Sequence, residues 1–365
     1  MSPVPPRLAA LLLAAAAAAH AQPAAPGWRL SLASDRHVDA LALGRLGDDE
    51  AAGALDPRAG RNLGYLFDEL RLERRGSDGT RVVLLARQRA IAIASAGALE
   101  LARQVETGGT PGHDRDWRVD LDHLGFAGAG LELGTRDLAL APGLTLALSA
   151  QALALQRVGA RRIDGHAGWR QAEGRYQAEL RSLQIDDRLD FPFRQPMAAR
   201  GWALLLGGRL ALRDGAWDGE LRWQDAGRLH WRGLPQQQAQ LSTDQAGLDA
   251  DGFVSYRPLV EGRNRQPPWR RTLAPVSTLE IGWRGERLGR LQAGLVWLPG
   301  WGALPRLGWQ GQAGGWGLSA QWRPHERRIG VGIERSGWSL QLGSDLRGGE
   351  RRSMLLQVSG PLPSL

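Results

Sequence analysis

Apolar and polar side chains alternate strictly through the C-terminal part of the chain, from residue 279 to residue 359. One parity contributes 23 positions without a charged side chain, and 19 of the 21 positions on the other parity are Gly, Gln, Ser, Glu or Arg. Because successive side chains of a β-strand point to opposite faces, this alternation predicts strands with one apolar and one polar face. We expect seven such strands, at residues 279–284, 291–297, 307–312, 316–322, 329–334, 338–343 and 354–359.

The composition of the two faces favours a membrane-spanning sheet over a soluble one. A soluble antiparallel sheet also alternates, but its solvated face usually carries Lys, Glu and Thr, whereas this polar face is mostly Gly, Ser and Gln. A cation at the midplane of a lipid-facing strand costs about 2–4 kcal/mol, which explains an apolar parity free of charge. Trp side chains near strand ends suit a membrane interface. These membrane-interface candidates are Trp283, Trp297, Trp316, Trp322 and Trp338.

The connections between these strands alternate in length. The connections after the first, third and fifth strands are short, at residues 285–290, 313–315 and 335–337. Those after the second, fourth and sixth are longer on average, at residues 298–306, 323–328 and 344–353. Outer-membrane barrels have short periplasmic turns and longer outer loops. This pattern places the C-terminus in the periplasm and makes the basic stretch before residue 279 an outer loop.

Upstream strands are less uniform, and their polar parity is heavily charged. We expect nine of them, at residues 63–75, 81–95, 98–105, 117–134, 144–158, 176–189, 201–213, 217–231 and 238–256. If the sheet closes, the charged parity lines a polar lumen. The lumen candidates are Glu69, Arg71, Glu179, Arg181, Arg209, Arg222, Arg228, His230 and Arg232. The fold expected is therefore all-β, a transmembrane antiparallel β-barrel of 12–16 strands with 14 as the best value.

The N-terminus has the features of a Sec signal peptide. A short segment ending at Arg7 precedes an apolar run, and Ala19 and Ala21 form an A-x-A site before Gln22. We expect residues 1–21 to be cleaved, residues 22–61 to form a lead-in or the first hairpin, residues 62–360 to form the barrel, and residues 361–365 to form a tail.

Composition excludes several kinds of site. The chain has 365 residues and no Cys, so it has no disulfide and no thiolate site. None of its seven His lies at metal-ligand spacing, and we expect no metal and no cofactor. A lipid-hydrolysing barrel is a remote alternative that would depend on His230 with Ser242 and Asp244 nearby; we expect no enzyme.

All 46 basic residues are Arg, and the formal net charge is +8. In an exported chain this charge suits phosphate groups of lipopolysaccharide better than nucleic acid, because a guanidinium binds phosphate in a bidentate manner. The outer-loop candidates for phosphate contact are Arg257, Arg263, Arg265, Arg270 and Arg271.

The signal peptide, the alternating strands and the Trp-bearing apolar parity resemble Gram-negative outer-membrane β-barrel proteins as a class. The resemblance implies residence in the outer membrane and insertion by the barrel-assembly machinery. The chain departs from the class at its end, because the last strand carries Met354, Leu356 and Val358 where a terminal aromatic residue is usual.

A barrel of more than about eight strands has a lumen that its side chains need not fill. We therefore expect a channel or export conduit for a polar solute or a glycan, with export-system partners left open. The alternatives are a soluble periplasmic β-sheet protein that binds lipid or acyl chains, and a non-conducting structural barrel.

Overall fold

The computed structural model consists almost entirely of antiparallel β-structure and describes residues 27–48, 50–195, 201–243, 246–248, 254–256, 259–346 and 350–362. The expected signal peptide lies outside these residues. The elements in chain order are β1 (Trp28–Val38), β2 (Arg61–Arg75), β3 (Arg81–Ser95), α1 (Ala96–Thr107), β4 (Arg115–Gly134), β5 (Leu138–Ala141), β6 (Leu144–Arg170), β7 (Arg175–Asp186), β8 (Gly201–Asp214), β9 (Trp217–Trp231), β10 (Gln236–Ser242), β11 (Ala246–Leu248), β12 (Val254–Tyr256), β13 (Val260–Arg265), β14 (Trp269–Leu273), β15 (Val276–Gly285), β16 (Gly289–Leu298), β17 (Gly302–Ala313), β18 (Trp316–Arg323), β19 (Arg328–Arg335), β20 (Trp338–Asp345) and β21 (Ser353–Pro361).

Fourteen of these strands form a closed wall, which confirms the predicted barrel and the best value for its strand number. Around the wall they are β1, β2, β3, β4, β6, β8, β9 and β15 to β21 in turn. The wall closes because β1 pairs with β2 on one side and with β21 on the other, from Arg29 opposite Pro361 to His37 opposite Ser353. The barrel boundary expected at residue 62 is thus corrected to Trp28, and the N-terminal segment supplies the first hairpin.

The pairing separates an outer from an inner face. On β8, Leu204 and Leu206 are 57% and 59% exposed, whereas their neighbours Ala203 and Leu205 are 1% exposed. The apolar parity of the C-terminal strands continues this exposed outer face, with Ile281 as one example. The outside of the barrel is therefore apolar and the polar parity faces inward.

The two ends of the barrel differ in their connections. Residues 286–288, 314–315 and 336–337 form short turns at one end, where β1 begins and β21 ends. At the opposite, long-loop end the connections include residues 39–60 and 96–114. The expected connection at 298–306 was wrong, because it spans only residues 299–301. Strand β17 already begins at Gly302 and continues through Pro305. A Pro within a strand is unusual, so the sequence pattern did not predict a strand there.

Residues 98–105 form part of helix α1, not the expected strand. The Ser95 hydroxyl accepts a hydrogen bond from the backbone N–H of Ala98 and caps the helix, and Gly108 ends it with a φ of 63°. Ala98 and Leu101 of α1 pack on the outer face of β4 at Trp117. Among the helices in the described part of the chain, none has the length and apolarity needed to cross a lipid bilayer.

A sheet extension rises from the wall at the long-loop end. Strand β6 leaves β8 after Leu155 and pairs from Gly159 onward with β7, which pairs in turn with β10, and β10 pairs with β13. The strand expected at residues 238–256 is divided into β10, β11 and β12, of which the last two form a separate hairpin.

A β-bulge in β9 reverses which of its side chains face the lumen. Leu206 pairs with Ala226, but the next aligned pair joins Gly208 to Trp223, and Asp225 in between adopts a φ of 69°. An extra residue on one strand shifts the alternation by one position. Arg222 consequently faces inward.

Beyond the bulge, Arg228 pairs with the outward Leu204 and His230 pairs with the outward Trp202. The expectation that Arg228 and His230 line the lumen is corrected by this register, and Arg232 lies just past the end of β9 and is exposed.

The bulge predicts a pattern of accessibility that single cysteines can test, since the chain has no native Cys. In detergent or lipid, a probe on Arg228→Cys or His230→Cys should be quenched by lipid-soluble quenchers, because both side chains point outward. A probe on Leu229→Cys should be protected, since Leu229 is fully buried. Quenching at position 229 with protection at 228 and 230 would contradict the assigned register.

Candidate functional site

The inner face of the barrel carries charged side chains that are paired with one another. On the C-terminal half, Glu280 of β15 accepts hydrogen bonds from Arg290 at 3.0 Å and from Arg306 at 2.6 Å. Arg290 Nε also donates to Asp218 Oδ2 of β9 at 2.9 Å. These four residues link β9, β15, β16 and β17, so this part of the lumen is polar with its charges balanced.

Four of the sequence-predicted lumen residues face the interior. Arg71 donates to Glu69 at 3.1 Å and to Glu132 at 2.6 Å. Arg222 donates to Glu220 at 2.5 Å, and Arg209 lies 3.8 Å from the same carboxylate. Each of these predicted charges therefore has a partner of opposite sign on its own strand or on a nearby one.

The most buried ion pairs join strands that are not neighbours. Asp225 on the β9 bulge accepts a hydrogen bond from Arg87 Nη1 of β3 at 2.6 Å and contacts Arg89 of β3 through its second oxygen. Its side chain has no solvent exposure, and the two Arg side chains are 6% and 7% exposed. Four steps around the wall separate β3 from β9, so these contacts pull two sides of the barrel together.

Apolar side chains fill the space around this ion cluster. The buried members come from inner faces between β3 and β14, and they include Leu85, Phe126, Leu205 and Trp231. Interior packing of this kind belongs to a protein core, not to a water-filled passage. Sequence alternation missed it because, with Arg228 and His230 interpreted as lumen residues, Leu229 and Trp231 were assigned to the apolar outer parity, whereas the register beyond the bulge turns both inward.

A second buried cluster joins opposite walls at the long-loop end. Leu63 and Tyr65 of β2 belong to the same cluster as Val276, Leu298 and Leu304 of β15, β16 and β17. A round barrel of 14 strands, spaced about 4.8 Å apart and tilted by about 40°, would be about 28 Å across. Side chains of opposite walls meet only when the sheets approach to about 10 Å. The barrel is therefore flattened at this end.

Polar contacts reinforce the flattened end. Asp35 of β1 accepts a hydrogen bond from Arg323 at 2.8 Å. It also forms an ion pair with Arg328 at 2.8 Å. Tyr65 donates its hydroxyl to Glu326 at 2.9 Å. These contacts connect β1 and β2 to β18, β19 and the loop between them, so ion pairs as well as apolar packing hold strands together at the long-loop end.

A buried carboxylate lies in the loop that follows β1. Asp39 accepts the backbone N–H of Leu63 at 2.9 Å and contacts Arg58 at 2.6 Å. Burial raises the pKa of this carboxyl, but the neighbouring imidazoles of His325 and His37 and the backbone N–H of Leu63 outweigh that effect and hold the pKa well below its ordinary value. Asp39 is therefore an ionised group enclosed by donors.

The extension presents a concave polar face on the lumen side of the mouth. An open cavity of about 440 Å³ lies on it, lined by charged and amide side chains of four neighbouring strands. These are Arg162, Asp164, Arg181, Gln238, Gln240, Glu261 and Arg263. The predicted residues Arg181 and Glu179 belong to this face, because they lie two residues apart on β7 and their side chains therefore point to the same side. Neither residue lies in the barrel wall.

The five predicted outer-loop Arg residues do not form one surface. Arg263 and Arg265 face the concave side of the extension, and Arg271 lines the mouth of the lumen. Arg257 lies outside the described residues. Of the four that the structure describes, Arg270 alone faces outward, opposite His230 on β9.

The five predicted interface Trp residues all lie on the outer parity, close to strand ends. Trp283, Trp316 and Trp338 lie at the short-turn end, and Trp297 and Trp322 lie at the long-loop end. They border the apolar outer face at its short-turn end and at its long-loop end.

The hydrolase alternative finds no support in the arrangement of its residues. His230 packs against Trp202 on the outer face, with ring centroids 5.2 Å apart. Ser242 pairs with Glu179 in the extension, and Asp244 lies outside the described residues.

No protein-family model matches the chain, and no characterised protein matches it in sequence. Among solved structures, the CymD monoaromatic hydrocarbon channel is 10% identical, with 93% of this chain and 90% of that chain covered and a TM-score of 0.30. The TodX monoaromatic hydrocarbon channel deltaS2 mutant is 11% identical, with 92% and 89% covered and a TM-score of 0.33. Scores this low carry no argument, so the architecture rests on the strand pairing described above.

The Asp225 cluster predicts a large loss of stability on neutralisation. Asp225→Asn should lower the free energy of unfolding by about 3–5 kcal/mol, because it leaves Arg87 and Arg89 buried with an uncompensated charge. Asp164→Asn is the matched control, since its ion pair with Arg162 is exposed and weak, and it should change stability by less than about 1 kcal/mol. Urea unfolding in detergent micelles measures both. Equal effects of the two substitutions would contradict the structural role of the cluster.

Proposed function

We propose that this protein is an outer-membrane channel for a small polar solute or a glycan, closed at its long-loop end in the resting state. The observation that carries the proposal is a closed apolar barrel whose interior is lined by paired Arg and carboxylate side chains. A structural barrel without a transport role has no need of an inner face that carries so many paired charges.

The outer membrane is the proposed location because the exposed outer face is apolar and bordered by Trp at both ends. The short turns and both strand ends, at Trp28 and Pro361, would face the periplasm. Sec export, signal cleavage and insertion by the barrel-assembly machinery belong to the same proposal. A soluble protein with an acyl-binding groove is disfavoured, because the exposed apolar side chains lie on the outside of a closed barrel and the apolar side chains inside it pack against one another.

The proposed path begins at the concave face of the extension. Its Arg, Gln and acidic side chains offer hydrogen-bond donors and acceptors together with charges of both signs, which suits hydroxyl-rich or zwitterionic solutes. A smaller cavity of about 240 Å³ follows at the mouth, where Arg89, Asp122 and Arg271 lie beside Ile91 and Phe126. Because the charges are interleaved, we expect weak preference between anions and cations.

A non-conducting structural barrel is the second candidate. The contact between opposite walls at Leu63, Tyr65, Leu298 and Leu304 favours it, since this cluster fills the long-loop end. The two candidates differ in whether removing that contact opens a passage.

Conductance of the purified protein in planar bilayers separates them. The wild type should show conductance near zero. The double variant Leu63→Ala, Leu304→Ala removes buried side chains from two opposing walls and should give discrete current steps with a reversal potential near zero in a salt gradient.

The matched control is Leu204→Ala with Leu307→Ala, two outward positions that are 57% and 47% exposed. This control should remain closed. Folding of every variant is checked by heat-modifiable gel mobility. A folded double variant that stays closed would favour the structural barrel, and a wild type that conducts freely would contradict the closed resting state.

We also propose that lipopolysaccharide phosphate binds the outer face at the long-loop end. Arg228 and Arg270 point outward there, on either side of His230, and Trp202 lies beside them at the border of the apolar face. This surface replaces the five-Arg loop surface expected from sequence, because Arg263, Arg265 and Arg271 face the concave side or the lumen mouth and Arg270 faces outward.

Arg228→Gln with Arg270→Gln should reduce lipopolysaccharide co-purification severalfold and abolish thermal stabilisation by added lipopolysaccharide. Arg263→Gln, an exposed Arg on the concave side, is the control and should behave like the wild type. If the double variant retains wild-type binding while the control loses it, the proposed surface is wrong.

A further inference from the structure

Two histidines and one aspartate meet at the long-loop end although they lie far apart in sequence. His37 Nε2 lies 2.9 Å from Asp39 Oδ1, and His325 Nε2 lies 3.3 Å from Asp39 Oδ2. One donor atom of each residue lies within 4.8 Å of the other two. Sequence reasoning found no metal-ligand spacing because 288 residues separate His37 from His325.

The chain fixes both imidazole rings before any ligand binds. His37 is an inward residue near the end of β1, and its ring centroid lies 5.6 Å from that of Tyr65. His325 lies between β18 and β19, with its ring 5.5 Å from His37 and 5.3 Å from Trp301. His37 and Asp39 have no solvent exposure, whereas His325 is 21% exposed and gives the cluster its access to solvent.

The donor set matches a borderline transition-metal dication. Two imidazole nitrogens and one carboxylate oxygen form the three-ligand pattern of zinc sites that keep an open position, whereas Ca²⁺ and Mg²⁺ prefer oxygen donors. In a tetrahedron with metal–ligand bonds of about 2.0–2.1 Å, donor atoms lie about 3.3 Å apart. The two imidazoles approach different oxygens of the Asp39 carboxylate, at 2.9 Å from Oδ1 and 3.3 Å from Oδ2, so the donor atoms lie close to this spacing and small side-chain shifts would bring them around one ion.

The His325 nitrogen also lacks another role. Its Nε2 atom is shielded from solvent and has no hydrogen-bond partner in the described part of the chain. It is directed at Asp39 at a distance that is long for a hydrogen bond with good geometry. An imidazole lone pair in this position is available to a metal ion.

Arg58 is the competitor for the same carboxylate. Its Nη1 atom lies 2.6 Å from Asp39 Oδ1, and its side chain is 30% exposed. A guanidinium at the edge of the cluster can turn toward solvent when a dication arrives. Metal binding should therefore be weakened by Arg58 and strengthened when Arg58 is replaced by a neutral residue.

We propose that His37, Asp39 and His325 bind one transition-metal dication, with Zn²⁺ as the probe. The ion would tie the end of β1 to the loop between β18 and β19. The Asp35–Arg323 ion pair already joins the same two regions, so the bound metal would fasten the closed mouth of the barrel. The binding itself does not depend on the proposed channel function.

The test is calorimetric titration of Zn²⁺ into the folded protein in detergent, purified without a polyhistidine tag, with Mg²⁺ as the negative control. We expect one Zn²⁺ per chain and a higher unfolding temperature with Zn²⁺. His325→Asn should weaken binding at least tenfold, and this partly exposed position avoids the folding risk of changing His37. Arg58→Gln should bind Zn²⁺ more tightly than the wild type.

His230→Gln is the matched control, since His230 lies on the outer face away from the cluster, and it should bind as the wild type does. Heat-modifiable mobility confirms that each variant is folded. Absence of saturable Zn²⁺ binding in the wild type, unchanged binding in folded His325→Asn, or loss of binding in Arg58→Gln would overturn the proposal. Channel measurements are not part of this test, so its failure leaves the proposed function standing.

Discussion

The pairing of β1 with β21 is the constraint on which the rest of the structure depends. It turns a sheet with two free edges into a wall in which backbone N–H and C=O groups of the end strands find partners. In a hydrocarbon environment each unpaired backbone group costs several kcal/mol, so only a closed sheet is tolerated there. Once the wall is closed, every strand has one side facing outward and one facing the lumen. The apolar parity takes the outside, and most charged side chains of the wall lie in the interior, with Arg228 beyond the β9 bulge as an exception.

Confinement explains why the interior charges are paired. An Arg inside a barrel is partly removed from water, and a buried charge without a partner is costly. Arg71, Arg87 and Arg290 each meet carboxylates from nearby or facing strands. Where the partners lie on distant strands, as with Arg87 and Asp225, pairing requires the wall to bend inward. Flattening of the barrel and satisfaction of its charges are thus two aspects of the same arrangement.

Flattening gives the barrel two different ends. At the long-loop end, apolar and charged contacts join opposite walls, and the His37–Asp39–His325 cluster lies beside them. On the C-terminal strands the inner face carries Gly, Ser and Gln, which leave more room. A passage through the barrel would therefore be limited by the long-loop end, where a few contacts separate a closed from an open state.

The sequence allowed the class of fold and the faces of the C-terminal strands to be predicted, because alternation is a local signal and these strands are regular. It failed where one residue changes the register: the bulge at Asp225 placed Arg228 and His230 outside. Helix α1 was missed although Ser95 and Gly108 are ordinary cap residues, because alternation alone was used for that segment. The contact of opposite walls and the cluster of His37 with His325 depend on which distant strands meet, and no local pattern contains that information.

The most direct test of the account is the distance across the barrel at its long-loop end. Spin labels on Ile91→Cys of β3 and Val296→Cys of β16 would be placed on inner faces that belong to one packed cluster. In lipid bilayers the account predicts strong dipolar broadening, because the two walls are separated by about the 10 Å of packed sheets. Spectra without dipolar coupling, as expected for a round barrel about 28 Å across, would contradict it.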